Sequence, residues 1–295
     1  MSAVSPSAVA PIVDAHVHLI DPAAPGLTYE WAQQVVPLFE GVVAPPGGEP
    51  WDGRRLIRET ESAGVSRRVH VEAADASGDA VAETRYLDAQ ARRTGVVHAL
   101  VVRAELTDPD FEAAIDRHRE ESPLVRGVRD MAGAARLGEA FADRALAALE
   151  RAGLSWDVQC VWPEMDAVLR AARRHPGLPI VLGHAGLATT RSAADLDAWR
   201  TAIGLLAGAP NVSCKLSGLG MGDHDWTVDS WRPWVLACVE AFGADRCLFG
   251  SNWPVDRLFS PYADVITAHL EILSGASPAE LAAIFRENAT RFYRL

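Results

Sequence analysis

The chain contains little cysteine and no long hydrophobic run. Its cysteines form no Cys-x-x-Cys pair and lie mostly within apolar stretches: Cys160, Cys214, Cys238 and Cys247. We therefore expect core thiols in a reducing compartment rather than disulfides. No apolar run reaches the ~18 residues of a membrane span. The opening residues lack the basic and apolar segments of a secretory signal, which predicts a cytoplasmic protein with a loose tail over residues 1–10.

Positive charge is also scarce, with 28 lysines and arginines against 39 aspartates and glutamates and a formal net charge of -11. This balance opposes binding to nucleic acids and to anionic membranes, and it favours a small-molecule substrate. The sequence contains no Gly-x-Ser-x-Gly elbow, no Walker loop and no His-Glu-x-x-His helix. It therefore gives no support to a serine hydrolase, an NTPase or a zincin. It leaves open whether the chain forms a homo-oligomer.

Short apolar runs rich in β-branched residues alternate with amphipathic segments along the whole chain. This alternation predicts parallel strands joined by helices, and eight such runs favour a closed α/β barrel of the (β/α)8 type, in one domain over residues 11–295. A doubly wound open sheet is the alternative, but no glycine-rich turn follows the first run. The predicted strands are 12–19, 67–74, 96–106, 124–131, 155–162, 179–187, 211–219 and 247–255.

Helices are predicted between these strands, for example over residues 80–93, 137–153 and 229–243, the last two ending in a glycine. The segment from Asp21 to Pro50 is an insertion after the first strand and could form a lid or a specificity loop. The loop over residues 220–228 is a second candidate for that role.

Three histidines lie where a barrel carries its chemistry. His16 and His18 are two apart in a predicted strand, so alternation sends both side chains to one face. Two converging imidazoles suit a transition-metal ion, although a hydrogen-bonded structural pair explains the spacing equally well. His184 ends the apolar run of the sixth strand. Because barrel active sites lie at the carboxyl ends of the strands, His184 favours the metal interpretation.

Other strand ends supply polar side chains that need a partner or a ligand. Alternation directs Lys215 into the barrel, where it requires an anionic partner or ligand. Arg103 and Arg129 could hold a substrate carboxylate through paired hydrogen bonds, or could equally bind a nearby aspartate. Trp253 could form a pocket wall or serve only the core. The remaining candidates at these ends are Glu72, Gln159, Asn252 and Asp256.

Five segments together resemble the amidohydrolase-2 family of metal-dependent hydrolases with the TIM-barrel fold: VDAHVHLIDP, LGHAG, NVSCKLSGL, LFGSNWPV and ENATRFYRL. The resemblance runs from Ile12 to Leu295. It implies a group that includes lactonases of sugar acids and of pyrone-dicarboxylate, with decarboxylases and hydratases as more distant members. It also implies that His16, His18 and His184 are the metal ligands.

The chain departs from the family pattern at two positions. Asn252 stands where the family often has an aspartate, and a neutral amide cannot accept a proton as a general base. Asp256 and Glu72 are the acids left for that role. Gln159 stands on the fifth strand in place of a metal-binding histidine, so we expect one metal ion and not two.

These observations predict a hydrolase that opens a lactone or related cyclic ester of a small acidic molecule. One divalent ion, zinc or manganese, would be held by the three histidines. Arg103, Arg129 or Lys215 would bind the substrate carboxylate. A metal-dependent decarboxylase or hydro-lyase on the same barrel and an inactive anion-binding barrel are the alternatives.

Overall fold

The eight predicted strands form one parallel sheet in which each strand pairs with the next along the chain. A computed structural model describes residues 9–187 and 192–295, so most of the predicted tail lies outside the described residues. The strands are β1 (Ile12–Val17), β2 (Val65–Val71), β3 (Ala99–Arg103), β4 (Val125–Arg129), β5 (Ser155–Val158), β6 (Ile180–Leu182), β7 (Val212–Leu216) and β8 (Cys247–Phe249).

The sheet closes on itself between its last and first strands. The residues after β8 pair with β1 through a parallel bridge between Val17 and Trp253. The His18 N–H donates to the Trp253 carbonyl at 2.7 Å, and the Asn252 N–H donates to the His16 carbonyl at 2.9 Å. The predicted α/β barrel is therefore confirmed, and its seam runs beside the histidine pair.

Helices cover the outside of the sheet, and the three helices singled out above are confirmed as α2, α4 and α8. Gly153 and Gly243 end α4 and α8 with φ of 64° and 75°, as a glycine at a helix end permits. The helices are α1 (Gly53–Thr60), α2 (Ala82–Thr94), α3 (Phe111–Glu121), α4 (Ala140–Ala152), α5 (Met165–Arg174), α6 (His184–Leu187, a single turn whose residues have positive φ), α7 (Ala193–Ala207), α8 (Val228–Phe242), α9 (Tyr262–Ile272), α10 (Pro278–Ala282) and α11 (Asn288–Tyr293). None of the described helices is long and apolar enough to cross a membrane.

Most strands end several residues earlier than the apolar runs predicted. The sixth ends at Leu182 rather than at residue 187, and the eighth ends at Phe249 rather than at residue 255. The reason is local backbone conformation, since His184 and Asn252 have φ of 52° and 58°. An extended strand cannot continue through such left-handed residues. The apolar residues beyond them are buried in loops, which hydrophobic pattern alone cannot distinguish from strands.

The amino ends of the strands are closed by the last helix. Tyr293 of α11 lies in an apolar cluster with inward-facing side chains of β1, β2, β3, β6 and β8. Its hydroxyl donates to Asp157 Oδ2 on β5 at 2.6 Å. The same oxygen accepts from Lys215 Nζ on β7 at 2.7 Å, and Asp157 Oδ1 accepts from the Ser155 hydroxyl at 3.0 Å. The four cysteines are free and buried, as predicted.

The insertion after β1 lies against loops at the carboxyl side of the barrel. Its ends pair through an antiparallel bridge between Ile20 and Trp51. The Tyr29 hydroxyl donates to Glu83, and the Trp31 indole donates to the Ala73 carbonyl beyond β2. Farther along, the Leu38 carbonyl lies 3.1 Å from His224 Nε2 in the second predicted loop. The two candidate loops thus meet at the side of the barrel that bears the histidines.

The closure by α11 gives a stability prediction. We expect Tyr293→Phe to lower the free energy of unfolding by roughly 1.5–3 kcal/mol, the range for a hydrogen bond to a charged group. Lys215 and Ser155 remain as partners of Asp157, so the barrel should still form. Denaturant unfolding monitored by circular dichroism measures the change. A variant as stable as the wild type would show that this hydroxyl does not stabilise the barrel.

Candidate active site

A β-bulge in β1 directs His16 and His18 into the barrel. Asp14 pairs with Arg68 and Val17 with His70, so β1 spans this interval with one residue more than β2. The extra residue changes the alternation, as a bulge does. Val13 therefore faces inward with the interior cluster, while the Asp14 side chain faces the helix layer.

Asp14 holds the bulge in place. Its Oδ1 accepts from the N–H groups of His16 at 3.1 Å and of Ser251 at 2.9 Å. Its Oδ2 accepts from the Tyr262 hydroxyl of α9 at 2.8 Å. One buried carboxylate thus joins the first strand, the loop after the last strand and an outer helix.

His184 approaches the pair from the turn after β6. His184, Ala185 and Gly186 all have positive φ, so the chain leaves the strand sharply and turns the imidazole inward. Its Nδ1 lies 3.0 Å from the Ser217 hydroxyl. The neighbouring Gly218 has φ of 62°, and a Cβ there would lie 2.4 Å from His184 Nδ1. Only glycine allows the β7 loop to pass so close to this ring.

The three imidazoles form one buried cluster. The ring centroid of His16 is 5.0 Å from that of His18 and 4.4 Å from that of His184. Burial lowers the pKa of all three, to about 3 for His18, and the positive charge of Arg129 lowers each of them further. The rings are therefore neutral near pH 7, which is the form that binds a metal ion.

The hydrogen bonds of the cluster leave ring nitrogens that are free to bind a metal ion. Both ring nitrogens of His16 are buried with no hydrogen-bond partner among the described residues. His18 is oriented by Nδ1, 2.8 Å from the Val71 carbonyl. Unpartnered neutral imidazole nitrogens are chemically suited to zinc or manganese. Within residues 9–187 and 192–295, however, no three His, Cys, Asp or Glu side chains are already arranged around an ion position.

Asn252 connects this cluster to a buried acid. Its side chain hydrogen-bonds His18, and its Nδ2 donates to Asp256 Oδ2 at 2.6 Å. Asp256 Oδ1 accepts from the Gly220 N–H at 3.1 Å. Burial raises the pKa of Asp256 to about 7. A carboxyl group with such a pKa can accept and release a proton near neutral pH. Its side chain bonds the β7 loop and Asn252, and it does not cap the helical turn that it begins.

Glu72 and Arg129 form an ion pair next to the histidines. Glu72 Oε1 accepts from Arg129 Nε at 2.6 Å, and the Glu72 carbonyl accepts from Arg129 Nη2. Gln159 Oε1 accepts a longer bond of 3.4 Å from Arg129 Nη1. Glu72 is fully buried and Arg129 is 6% exposed. Three predicted site residues are thus brought together, with the guanidinium bound by the acid and the amide.

Lys215, the only lysine in the chain, faces inward as predicted and has the anionic partner it requires. That partner is Asp157, and the pair is buried. The Lys215 charge still acts on the cluster, because it contributes to lowering the pKa of all three histidines. Lys215 therefore lies between the closed amino end of the barrel and the histidines.

The structure does not bring Arg103 and Trp253 to the cluster. Arg103 is half exposed; it donates to the Asp75 carbonyl at 2.7 Å and pairs with Glu105. It lines a separate cavity of about 430 Å³ between α2 and α3. Trp253 is buried in the helix layer, where its indole donates to Glu59 of α1 at 3.1 Å and its ring packs against Tyr262.

Sequence reasoning did not single out Asp14, Asp157 or Gly220. Asp157 could have been found, because it alternates with Gln159 on a predicted strand and so shares its face. Asp14 could not, because strict alternation places it on the same face as His16, and only the bulge separates them. Gly220 acts through its backbone N–H, which leaves no signal in the side-chain pattern.

The chain is similar to known proteins in both sequence and fold. The sequence profile of the amidohydrolase family matches residues 13–295. An L-fucono-1,5-lactonase of Burkholderia ambifaria is 33% identical over 96% of this chain and 95% of its own length. An uncharacterised protein of Sinorhizobium fredii is 34% identical over 81% of this chain and 84% of its own length.

Among solved structures, an amidohydrolase of Burkholderia multivorans with bound zinc superposes with a TM-score of 0.83. It is 26% identical, and the alignment covers 97% of this chain and all of that one. Because the profile match spans nearly the whole chain and the fold agrees, the chain belongs to the amidohydrolase family and is a hydrolase.

Proposed function

We propose that the protein hydrolyses a lactone or related cyclic ester of a small acidic molecule, with one divalent metal ion on His16, His18 and His184. The observation that carries the proposal is that His16, whose ring nitrogens have no described partner, lies beside an imidazole that Asn252 links to Asp256. The name of the Burkholderia ambifaria relative supports lactone hydrolysis. The zinc in the Burkholderia multivorans structure supports the metal.

The ligand set is proposed on the chemistry of its donors, neutral buried imidazole nitrogens, and not on a preformed geometry. Zinc is the first choice and manganese the second. When bound, the ion would polarise the lactone carbonyl and lower the pKa of a bound water toward ~7. Hydrogen bonds at His18 Nδ1 and His184 Nδ1 fix the orientation of both rings, as outer partners of metal-binding histidines commonly do.

Asp256 is the proposed base. It takes a proton from the water that attacks the carbonyl carbon and returns it to the ring oxygen as the carbon–oxygen bond of the lactone breaks. The product is a hydroxy acid. Asn252 cannot take the proton, but its amide orients Asp256 toward the cluster. The family's usual aspartate is thus replaced by an amide and an acid four residues later.

Arg129 is the cation that we propose to bind the substrate carboxylate, with Gln159 and Lys215 beside it. Ring opening also generates a carboxylate, so a cation near the cluster favours the reaction even where the substrate itself is neutral. Arg103 and Trp253 have no part in this proposal, because their side chains contact groups away from the histidines.

A panel of acidic and neutral lactones tests the proposal. We expect purified protein to open at least one lactone, measured as acid release in a pH-stat. We expect a chelator to abolish the activity and zinc or manganese to restore it. Activity that survives full metal removal would contradict the metal assignment. Release of carbon dioxide from carboxylic acids without lactone opening would favour the decarboxylase alternative. Ligand binding without turnover would favour the inactive barrel.

The role of Asp256 is tested by the pH dependence of kcat. Only the deprotonated carboxylate accepts a proton, so kcat should rise with pH and level off above about 7, where burial places the pKa of Asp256. We expect Asp256→Asn to lower kcat by ~10² or more and to remove this rise. Thermal unfolding of the same variant checks that it folds.

Asn252→Asp provides the matched variant. It replaces the amide that donates to Asp256 with a second carboxylate, which raises the pKa of the pair. The rise in kcat should therefore move to higher pH instead of disappearing. A fully active Asp256→Asn enzyme with an unchanged pH profile would remove Asp256 from the mechanism.

A further inference from the structure

Two acids near the cluster are candidates for the base, and their surroundings differ. Glu72 Oε1 is bonded to the Arg129 guanidinium at 2.6 Å, and Oε2 accepts from the Ala74 N–H at 2.7 Å. A proton on Glu72 would weaken a charge-assisted bond and leave a buried guanidinium with less compensation. Asp256 has only neutral donors as partners. Both oxygens of Glu72 are therefore occupied by Arg129 and by the backbone, and its burial points to a role other than proton transfer.

The loop after β2 is built to hold Glu72. Ala74 has φ of 54°, a left-handed conformation that non-glycine residues rarely adopt. That turn directs the Ala74 N–H back to Glu72 Oε2. The Ala73 N–H donates to both oxygens of Glu83, at 3.0 and 3.2 Å. The carboxyl groups of Glu83 and Glu72 thus bond the N–H groups of Ala73 and Ala74, and the Glu72 side chain has little freedom to move.

Arg129 has five N–H groups, and Glu72 determines which of them are free. Nε and one N–H of Nη2 are bonded to Glu72, and one N–H of Nη1 is bonded to Gln159. One N–H on each terminal nitrogen is left without a partner in the described part of the chain. Two N–H groups on the two terminal nitrogens can bind an anionic oxygen pair.

We infer that Glu72 is a positioning residue, which sets the Arg129 guanidinium so that its two free N–H groups meet the carboxylate of the substrate or product. The inference rests on the proposed hydrolysis. It assigns Glu72 no proton transfer, so Glu72 acts only through Arg129. Its loss should then matter only while Arg129 is present.

A double-mutant cycle tests this dependence. Glu72→Gln and Arg129→Lys should each lower kcat/KM by ~10², the scale of a misplaced binding group. The double variant should lose little more than either single variant. Additive losses, near 10⁴ in total, would overturn the inference. Asp88→Asn is the control, because it neutralises another buried acid, which lies on α2 and is bonded to Arg92 and to Ser122 after α3, and it should leave kcat/KM unchanged.

Two further readouts separate positioning from catalysis. Glu72→Gln should keep the rise of kcat near pH 7, whereas loss of that rise would make Glu72 the base and overturn the inference. Glu72→Asp, which keeps the negative charge, is the variant to use if circular dichroism shows that Glu72→Gln does not fold. The Glu72→Asp enzyme should retain more activity than the Arg129→Lys enzyme.

The same cycle is measured on the Kd of D-gluconate, a ring-opened hydroxy acid, by titration calorimetry. Non-additive losses of affinity support the inference even where no lactone is turned over, and additive losses overturn it. If the enzyme opens lactones but the losses are additive, the proposed function stands and this role of Glu72 does not. If the wild type opens no lactone but the losses in gluconate affinity are non-additive, the role of Glu72 stands and the proposed function does not.

Discussion

The active site depends on one buried carboxylate. Asp14 accepts hydrogen bonds from the backbone of β1, from the backbone after β8 and from an outer helix. These bonds hold an extra residue in β1, and that residue decides which side chains enter the barrel. With a regular strand, inward-facing Val13 and Ala15 would be followed by Val17, and the histidines would face the helices. The bulge keeps Val13 and Ala15 in the apolar interior toward the amino ends of the strands. It also directs the imidazoles of His16 and His18 into the barrel toward the carboxyl ends.

The charges inside the barrel are arranged in pairs around neutral rings. Lys215 is paired with Asp157 and Arg129 with Glu72, so each of these two buried cations has an adjacent acid. Such pairing is what makes buried charges tolerable in a low-dielectric interior. Burial is the main cause of the lowered pKa of the histidines, and both cations lower it further. Asp256 has no ion-pair partner in the described part of the chain, and burial raises its pKa to about 7.

The barrel could be predicted from the alternation of apolar runs, because eight strand-and-helix units leave few other topologies. The inward-facing position of Lys215 also followed from alternation, which left open whether its anionic partner is a side chain or a ligand. The three histidines were also predicted from the sequence, but the backbone departures from regular structure that bring their side chains together were not. The bulge at Asp14, the left-handed turn at His184 and the position of Trp253 at the seam are set by tertiary hydrogen bonds. The pattern of residue types in the sequence does not indicate these hydrogen bonds.

The central claim is that His16, His18 and His184 together hold one metal ion, and metal content measures this most directly. The wild type and the three single alanine variants would be purified after growth with added zinc and measured by inductively coupled plasma mass spectrometry. His98→Ala is the control, because His98 lies apart from the cluster and contacts the Arg68 backbone. We expect about one ion per chain in the wild type and the control, and little in the three variants. A wild type without metal, or variants that bind as much as the wild type, would contradict it.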